Sequence, residues 1–431
     1  MTKDENTSLA QTVRGMRDLV GVDVSVYGEI INTLMRVAYS HGYSQIETPI
    51  LEFTSLFVRG LGEDTDVVGK EMFSFLDRAG QSVTLRPEGT ASAVRALITN
   101  KLTQTLPQKF FYYGPMFRYD RPQKGRYRQF FQFGIEDFGE SGPLSDVDVI
   151  ALAHEGLSKL GVQGELFINS IGDKSSREIY KSHLVDYFSK YKNDLSEDSQ
   201  RRLLTNPLRI LDSKELSDIA IIEGSPSLFD FLSKDAAAFF DKVQDGLNVL
   251  SIPYSIDRTL VRGLDYYDHT TFEFKANIDS QPLAVVGGGR YNGLVEEMGG
   301  PSIPAVGLAF GVDRVMLAYD RARIPAKTVI SVLFVTEKEE VVALKLANAL
   351  RDKFNVIIPS DGGIAKRLKQ SNTAGATCAI IIGEDEVRLS AVKCKLLKAV
   401  GEYSDGDEFS VEQANLEEFL MRVTVPKDKI L

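Results

Sequence analysis

Cysteine is nearly absent from this chain. Its two cysteines, Cys378 and Cys394, are too few for a disulfide framework and match no metal-ligand spacing. Cys378 opens an apolar run that ends at Ile382, where a buried small thiol is the plain reading. Histidine is as scarce: His41, His154, His183 and His269 lie far apart and make no H-E-x-x-H or similar pattern. A tightly held protein-bound metal is therefore not expected. No stretch approaches the roughly 18 apolar residues of a membrane span. The polar segment from Met1 to Gln11 carries no apolar signal core. Internal repeats and low-complexity segments are also missing. Together these absences point to the cytoplasm. Positive charge is in deficit too, and a net charge of −10 argues against general adhesion to nucleic acid. Any RNA contact must come from a local basic patch.

At 431 residues, with 43% hydrophobic and 26% charged, the chain can bury the cores of two or three domains. Ile30, Leu34, Val37 and Ala38 recur at helical spacing and predict a helix from about Ser25 to His41, stopped by Gly42. A strand-like stretch follows and ends at Pro49. "KFFYYGPMFRYD" and "RQFFQFGIEDFG" are aromatic and β-prone, and the polar "RPQKGRY" lies between them. This pattern predicts two antiparallel strands joined by a long hairpin loop. Asp146 to Leu160 reads as a helix. From about Lys174 to Leu250 charged and apolar residues alternate at helical spacing, which predicts a helical insertion. Strands return with "FEFKA" and "LAVVGGG", and a helix is predicted from about Val306 to Tyr319. Asp320 to Thr328 reads as a linker. Beyond it strand, helix, strand, helix and strand alternate, as in a separate α/β domain.

Five segments could carry chemistry. Arg118 to Arg128 holds five cations (Arg118, Arg121, Lys124, Arg126, Arg128) against one anion, Asp120. Guanidinium groups in such a loop suit phosphate, although a solvated hairpin tip has the same composition. Glu88, Glu136 and Asp265 are carboxylates near arginines. They could bind an ammonium group, hold magnesium, or make structural ion pairs. Arg262 stands just before Gly263 and the pair Tyr266 and Tyr267. "VVGGGRYNGL" contains three consecutive glycines that permit close backbone approach or a tight turn, and it is not a P-loop. Gly307, Gly311 and Arg314 fall at helix-compatible spacing, where a helix start and an arginine could meet a triphosphate.

These segments, in this order, resemble the class II aminoacyl-tRNA synthetases, and within them the histidyl-tRNA synthetase family. "FRYDRPQKGRYRQFFQFGIEDFG" is similar to motif 2, "PAVGLAFGVDRVML" to motif 3, and the stretch ending "YSQIETPILE" to motif 1, whose Pro49 lies at the dimer interface in the class. "LVRGLDYYDHTTFEF" and "GGGRYNGL" resemble the two histidine-enzyme signatures, and "RPEGT" and "NPLRILDSK" are also typical. The resemblance covers nearly the whole chain from about Val13. It implies an α+β fold: a six- or seven-stranded antiparallel sheet with flanking helices over 1–325, an insertion at about 174–250, and a C-terminal α/β anticodon-binding domain over 329–431.

The resemblance also implies a histidine–tRNA ligase that takes ATP with Mg2+, L-histidine and tRNA(His) and works as a homodimer. Arg118 would bind the ATP α-phosphate, and Arg126 and Arg314 the outer phosphates. Glu136 would lie near ATP and the substrate amino group. Arg262 would bridge the amino-acid carboxylate and the α-phosphate. Glu88, Gly89, Thr90, Gln132, Glu136, Arg262, Tyr266, Tyr267 and Tyr291 would form the histidine site. Arg121 and Lys124 are the candidates for the acceptor end of tRNA. In the C-terminal segment "GGIAKRLKQ", Lys366, Arg367 and Lys369 are available for RNA backbone contact, although a solvated helix face explains those charges as well. The alternative is the non-charging paralogue that regulates ATP phosphoribosyltransferase. It usually lacks the C-terminal domain and loses motif residues.

Overall fold

The computed structural model describes residues 11–62, 65–261, 263–324 and 328–424. Arg262 and the linker residues 325–327 therefore lie outside the described residues. The chain divides into two compact units, Met1–Ile324 and Pro325–Leu431.

In the first unit the strands are β1 (Ser44–Gln45), β2 (Leu51–Phe53), β3 (Phe73–Leu76), β4 (Ser82–Leu85), β5 (Gln108–Phe117), β6 (Gln129–Phe138), β7 (Gly164–Ser170), β8 (Tyr254–Ile256), β9 (Asp268–Ile278), β10 (Gln281–Arg290) and β11 (Ala305–Gly311). Eight of them form one sheet in the order β1-β5-β6-β11-β10-β9-β7-β8. The six middle strands pair antiparallel, and β1 and β8 add in parallel at the two edges. This sheet is one strand larger than the expected upper limit. Its edge strands span only two and three residues, too few to register as a period-2 pattern.

Residue size differs sharply between the two faces of the sheet. Phe133, Ile135, Val286, Leu308, Phe310, Phe272 and Phe274 point into a core shared with the helices Val22–Ser40 and Pro143–Leu160. On the other face each registered pair in the middle of the sheet contains a glycine. Gly134 lies opposite Ala309, Glu136 opposite Gly307, and Ala309 opposite Gly287. A strand sends successive side chains to opposite faces. This alternation therefore builds a filled core on one side and a hollow on the other.

The helix Val22–Ser40 buries Val26, Ile30, Leu34 and Val37 as its period requires, and Gly42 ends it at φ 81°. The helix expected over Val306–Tyr319 is corrected: Ala305–Gly311 is a strand, and only Val312–Ala318 is helical. Gly307 and Gly311 are spaced as on a helix, but the run is apolar on both faces and sits between β6 and β10. A run buried on both sides carries no period that separates the two structures, and glycine disfavours helix.

Between β7 and β8 the chain is helical from Lys174 to Val249. Within this insertion the Asp218 carboxylate accepts hydrogen bonds from the Ser196, Ser199 and Ser213 hydroxyls at 2.6–2.7 Å, which ties its turns together. The last helix, Lys234–Val249, sends Phe240, Val243 and Leu247 into the main core. β2, β3 and β4 form a small separate sheet in the order β2-β4-β3.

The second unit has β12 (Val329–Phe334), β13 (Asn355–Ile357), β14 (Ala376–Ile382), β15 (Ala391–Leu396) and β16 (Glu408–Glu412), in the order β13-β12-β14-β15-β16. The first three are parallel and the last two antiparallel. Ile330, Val332, Ala343, Ala347, Ile380 and Leu420 make its core. Cys378 and Cys394 are free thiols buried within it.

Candidate functional site

The glycine-lined face of the main sheet opens into a cavity of about 430 Å³. Of the candidates read from the sequence, Glu88, Thr90, Arg118, Arg126, Gln132, Tyr266, Tyr267, Tyr291 and Arg314 line it. The hairpin β5–β6 delivers Arg118 and Gln132. The stretch after β10 delivers Tyr291, and the helix that follows β11 delivers Arg314. Arg262 lies outside the described residues, but Val261 and Gly263 beside it line the wall.

Arg118 follows directly on β5. Its Nε donates to the Pro87 carbonyl at 2.9 Å, and its guanidinium lies 5.4 Å from the centre of the Phe130 ring. The terminal nitrogens have no hydrogen-bond partner among the described residues. The group is thus held by one edge and presents its fork to the cavity. Arg314 is anchored on two carbonyls, by Nε to Gly125 at 3.1 Å and by a terminal nitrogen to Ala284 at 2.8 Å. Arg126 faces Asp120 at 3.3 Å.

Glu88 accepts from the backbone N–H groups of Thr90 and Ala91 at 2.7 and 2.8 Å. It therefore satisfies two orphan donors at the start of the helix Thr90–Thr99. Burial pushes its carboxyl up, and those two bonds together with the Arg118 charge oppose the shift. Gln132 Oε1 is buried and has no donor among the described residues.

Glu136 is 1% exposed and sits beneath the cavity wall instead of lining it. Its carboxylate accepts from Thr90 Oγ1 at 2.7 Å, from the Tyr112 hydroxyl at 3.0 Å and from the Tyr291 hydroxyl. Three of its acceptor sites are thus taken by protein hydroxyls. Burial pushes this carboxyl up to about 8, and the nearby Glu88 charge adds to the shift. Two close approaches explain the glycines here. A Cβ on Gly307 would lie 2.1 Å from a Glu136 oxygen. Cβ atoms on Gly89 and Gly134 would lie 2.0 and 2.1 Å from atoms of the Tyr112 ring, which is clamped between them. Gly89 thus serves by admitting Tyr112. Tyr266, Tyr267 and Tyr291 pack as a ring cluster with centroids 4.6–6.5 Å apart.

Other candidates fall elsewhere. Arg121 and Lys124 do not line the cavity, and Lys124 is paired with Asp279. Asp265 takes the structural reading, with Asn206 Nδ2 at 2.9 Å and Arg209 Nε at 3.4 Å. Arg290, in the glycine-rich signature, is fully buried on Asp146 and the carbonyls of Glu140 and Gly142. In the second unit Arg367 is buried and donates to the carbonyls of Phe334 and Ser360. Lys366 reaches Asp361 at 2.8 Å.

The sequence reading missed Tyr112, Arg209 and Asp313. Asp313 accepts from Phe131 N at 2.7 Å and from Arg17 at 2.8 Å, fixing the base of the hairpin. Tyr112 had a signal, since period 2 along β5 puts it on the face of Phe110 and Gly114.

The family model described as histidyl-tRNA synthetase matches residues 15–170 and 213–315. A histidine–tRNA ligase of Rhodospirillum rubrum is 45% identical over 415 residues, which is 96% of this chain and 99% of that protein. The crystal structure of apo S. aureus histidyl-tRNA synthetase superposes with a TM-score of 0.78 at 33% identity, covering 95% of this chain and 99% of that one. A Bacillus halodurans structure described as an ATP phosphoribosyltransferase regulatory subunit/histidyl-tRNA synthetase gives a TM-score of 0.65 at 21% identity, covering 87% and 98%. A likeness at that identity is one of fold.

Proposed function

This chain belongs to the histidyl-tRNA synthetase family, and from that premise we propose how its cavity divides the work of a histidine–tRNA ligase. The enzyme activates L-histidine with ATP, forming histidyl-adenylate and releasing pyrophosphate, and then transfers the histidyl group to the 3′ end of tRNA(His). Attack of the histidine carboxylate on the α-phosphorus raises negative charge on the α-phosphate oxygens. A preorganised cation is worth most at that point. Arg118 takes this role, and Arg262 bridges carboxylate and phosphate. Arg126 and Arg314 hold the outer phosphates. Magnesium would accompany ATP and supply further charge neutralisation at its phosphates.

Glu88, Thr90, Gln132, Tyr266, Tyr267 and Tyr291 form the histidine pocket. Neutral imidazole offers one donor and one acceptor, and unpaired pocket groups reject apolar competitors. Glu136 and Gly89 act behind this wall, by fixing Thr90, Tyr112 and Tyr291. Arg121 and Lys124 meet the acceptor end of tRNA, and the second unit reads the anticodon.

A homodimer fits the small sheet. Leu51, Phe53 and Phe75 lie on its outward face and are 41–57% exposed, while the hydroxyls of Thr54, Ser74 and Thr84 bond one another on the other face at 2.7–2.8 Å. A sheet with its apolar side outward calls for a cover, and Pro49 of the motif 1 stretch adjoins it. Translation consumes the product, which puts the enzyme in the cytoplasm. No helix among the described residues is long and apolar enough to cross a membrane.

The observation that carries the reading is the Arg118 fork, pinned by Nε at the cavity wall, whose terminal nitrogens have no hydrogen-bond partner among the described residues. The test is histidine-dependent exchange of pyrophosphate into ATP, followed by charging of tRNA(His). A purified chain that exchanges nothing would be the regulatory paralogue instead. The 45% identity with a ligase over 96% of this chain favours the ligase.

A further inference from the structure

Val261, Gly263, Leu264, Tyr266 and Tyr267 form one wall of the cavity, and Gly263, Asp265 and Tyr267 are held by side chains of the helical insertion. Arg209, in the insertion, is 9% exposed. One terminal nitrogen donates to the Gly263 carbonyl, Nε lies 3.4 Å from Asp265 Oδ1, and the other terminal nitrogen lies 4.0 Å from Asp66 Oδ2. Asn206 Nδ2 holds the same Asp265 oxygen at 2.9 Å. Arg202 reaches Asp66 at 3.2 Å and donates to the Arg209 carbonyl at 3.3 Å. From the first helix of the insertion, Arg177 donates to the Tyr267 carbonyl at 2.7 Å. One guanidinium thus joins three stretches that all line the cavity: 66–71, 202–212 and 261–267.

We infer that Arg209 is a positioning residue for adenylation, holding the 261–267 segment and the Asp66 stretch in register across the cavity. The inference rests on the ligase reading given above. A planar fork suits it, because its fixed, divergent N–H groups meet the Gly263 carbonyl and the Asp265 carboxylate while the charge faces Asp66 at ion-pair range. Lysine keeps the charge and loses that geometry. Misplacing a reacting group by about 1 Å can cost on the order of 10²-fold in rate.

The test uses the full-length chain with Arg209→Lys, Arg209→Ala and, as a milder break in the same network, Asn206→Ala. Thermal melting and histidine titration establish the folded, binding-competent fraction, and pyrophosphate exchange is then measured per competent site. Arg209→Lys and Arg209→Ala should both lose on the order of 10²-fold in kcat, with KM for ATP near the parent value. Asn206→Ala should fall in the same direction by less. A purely structural role would lower the competent fraction and leave kcat per site unchanged, which overturns the inference. So does full rescue by Arg209→Lys, which would make Arg209 a mere local cation. An inactive parent chain would overturn the ligase reading itself, and this one with it.

Discussion

Thr90 and Glu136, 46 residues apart, meet through a 2.7 Å hydrogen bond from the threonine hydroxyl to the buried carboxylate. Thr90 lines the cavity and Glu136 lies behind it, so one side chain faces the cavity while the other holds its hydroxyl. The Tyr291 hydroxyl is held by the same carboxylate. Two pocket walls from opposite ends of the unit are therefore set by a single acidic group.

That group gives a pH prediction. Glu136 has its carboxyl pushed up to about 8 in the folded chain, from the model-peptide value of 4.5. The folded state thus binds this proton more tightly than the unfolded state does. Its contribution to stability is complete below 4.5 and is lost as pH rises through 8. Glu136→Gln cannot ionise. Its melting temperature relative to the parent should rise steadily from about pH 5 to about pH 8 and level off beyond. Parallel melting profiles across that window would refute the assignment.

Glu88 does two jobs, so its alanine variant should report two losses. Glu88→Ala removes the acceptor for two helix N–H groups, a change worth about 1 kcal/mol of stability. It should also weaken histidine binding far more than ATP binding, because it strips a pocket acceptor. Titrations with each ligand, run beside thermal melts, separate the effects. Equal loss for both ligands would mean that only the cap matters.

Arg118 is expected to act on rate. Arg118→Ala should lower pyrophosphate exchange by roughly 10²–10³-fold, as for loss of a preorganised donor. Arg118→Lys should not recover it, since one ammonium cannot hold the Pro87 carbonyl and still present a fork. Arg262→Ala is expected to fall on the same scale. Single-turnover adenylation is the measurement, and a folded Arg118→Ala chain at the parent rate would contradict the role.

The legible parts of this protein are those whose pattern is local. The hairpin showed itself through two aromatic stretches around a polar, proline- and glycine-containing loop, and β5 and β6 pair over Gln108–Phe138 as that pattern requires. The first helix and the α/β alternation after the linker were equally plain. β11 was not, because "AVGLAFG" is buried on both sides and its glycines happen to be four apart. The identity of Glu136's partners was also hidden. Thr90, Tyr112 and Tyr291 come from three distant segments, and no spacing joins them. The same holds for Arg209, whose partners Asp66 and Gly263 lie on either side of it in sequence at long range. The family resemblance supplied roles for pocket residues, while the contacts that hold them in place emerged only from the fold.

The two units make separate demands on the reaction, and that separation can be tested. Every described adenylation candidate falls within Met1–Ile324. The second unit has its own apolar core, built from residues between Ile330 and Val423. A segment with its own core can fold as a unit, so a chain ending at Ile324 should keep histidine-dependent pyrophosphate exchange close to the full-length rate. Charging needs more, because tRNA(His) must be selected from other tRNAs. Anticodon bases are read as splayed single strands, at a distance from the acceptor end. The truncated chain should therefore lose most of its charging while adenylation survives. Both rates are to be measured on the same preparation, after its oligomeric state has been matched to that of the full chain. Charging at the full-length rate would remove the anticodon-reading role from the second unit. Loss of both activities in a folded, matched preparation would mean that the second unit is needed for adenylation as well.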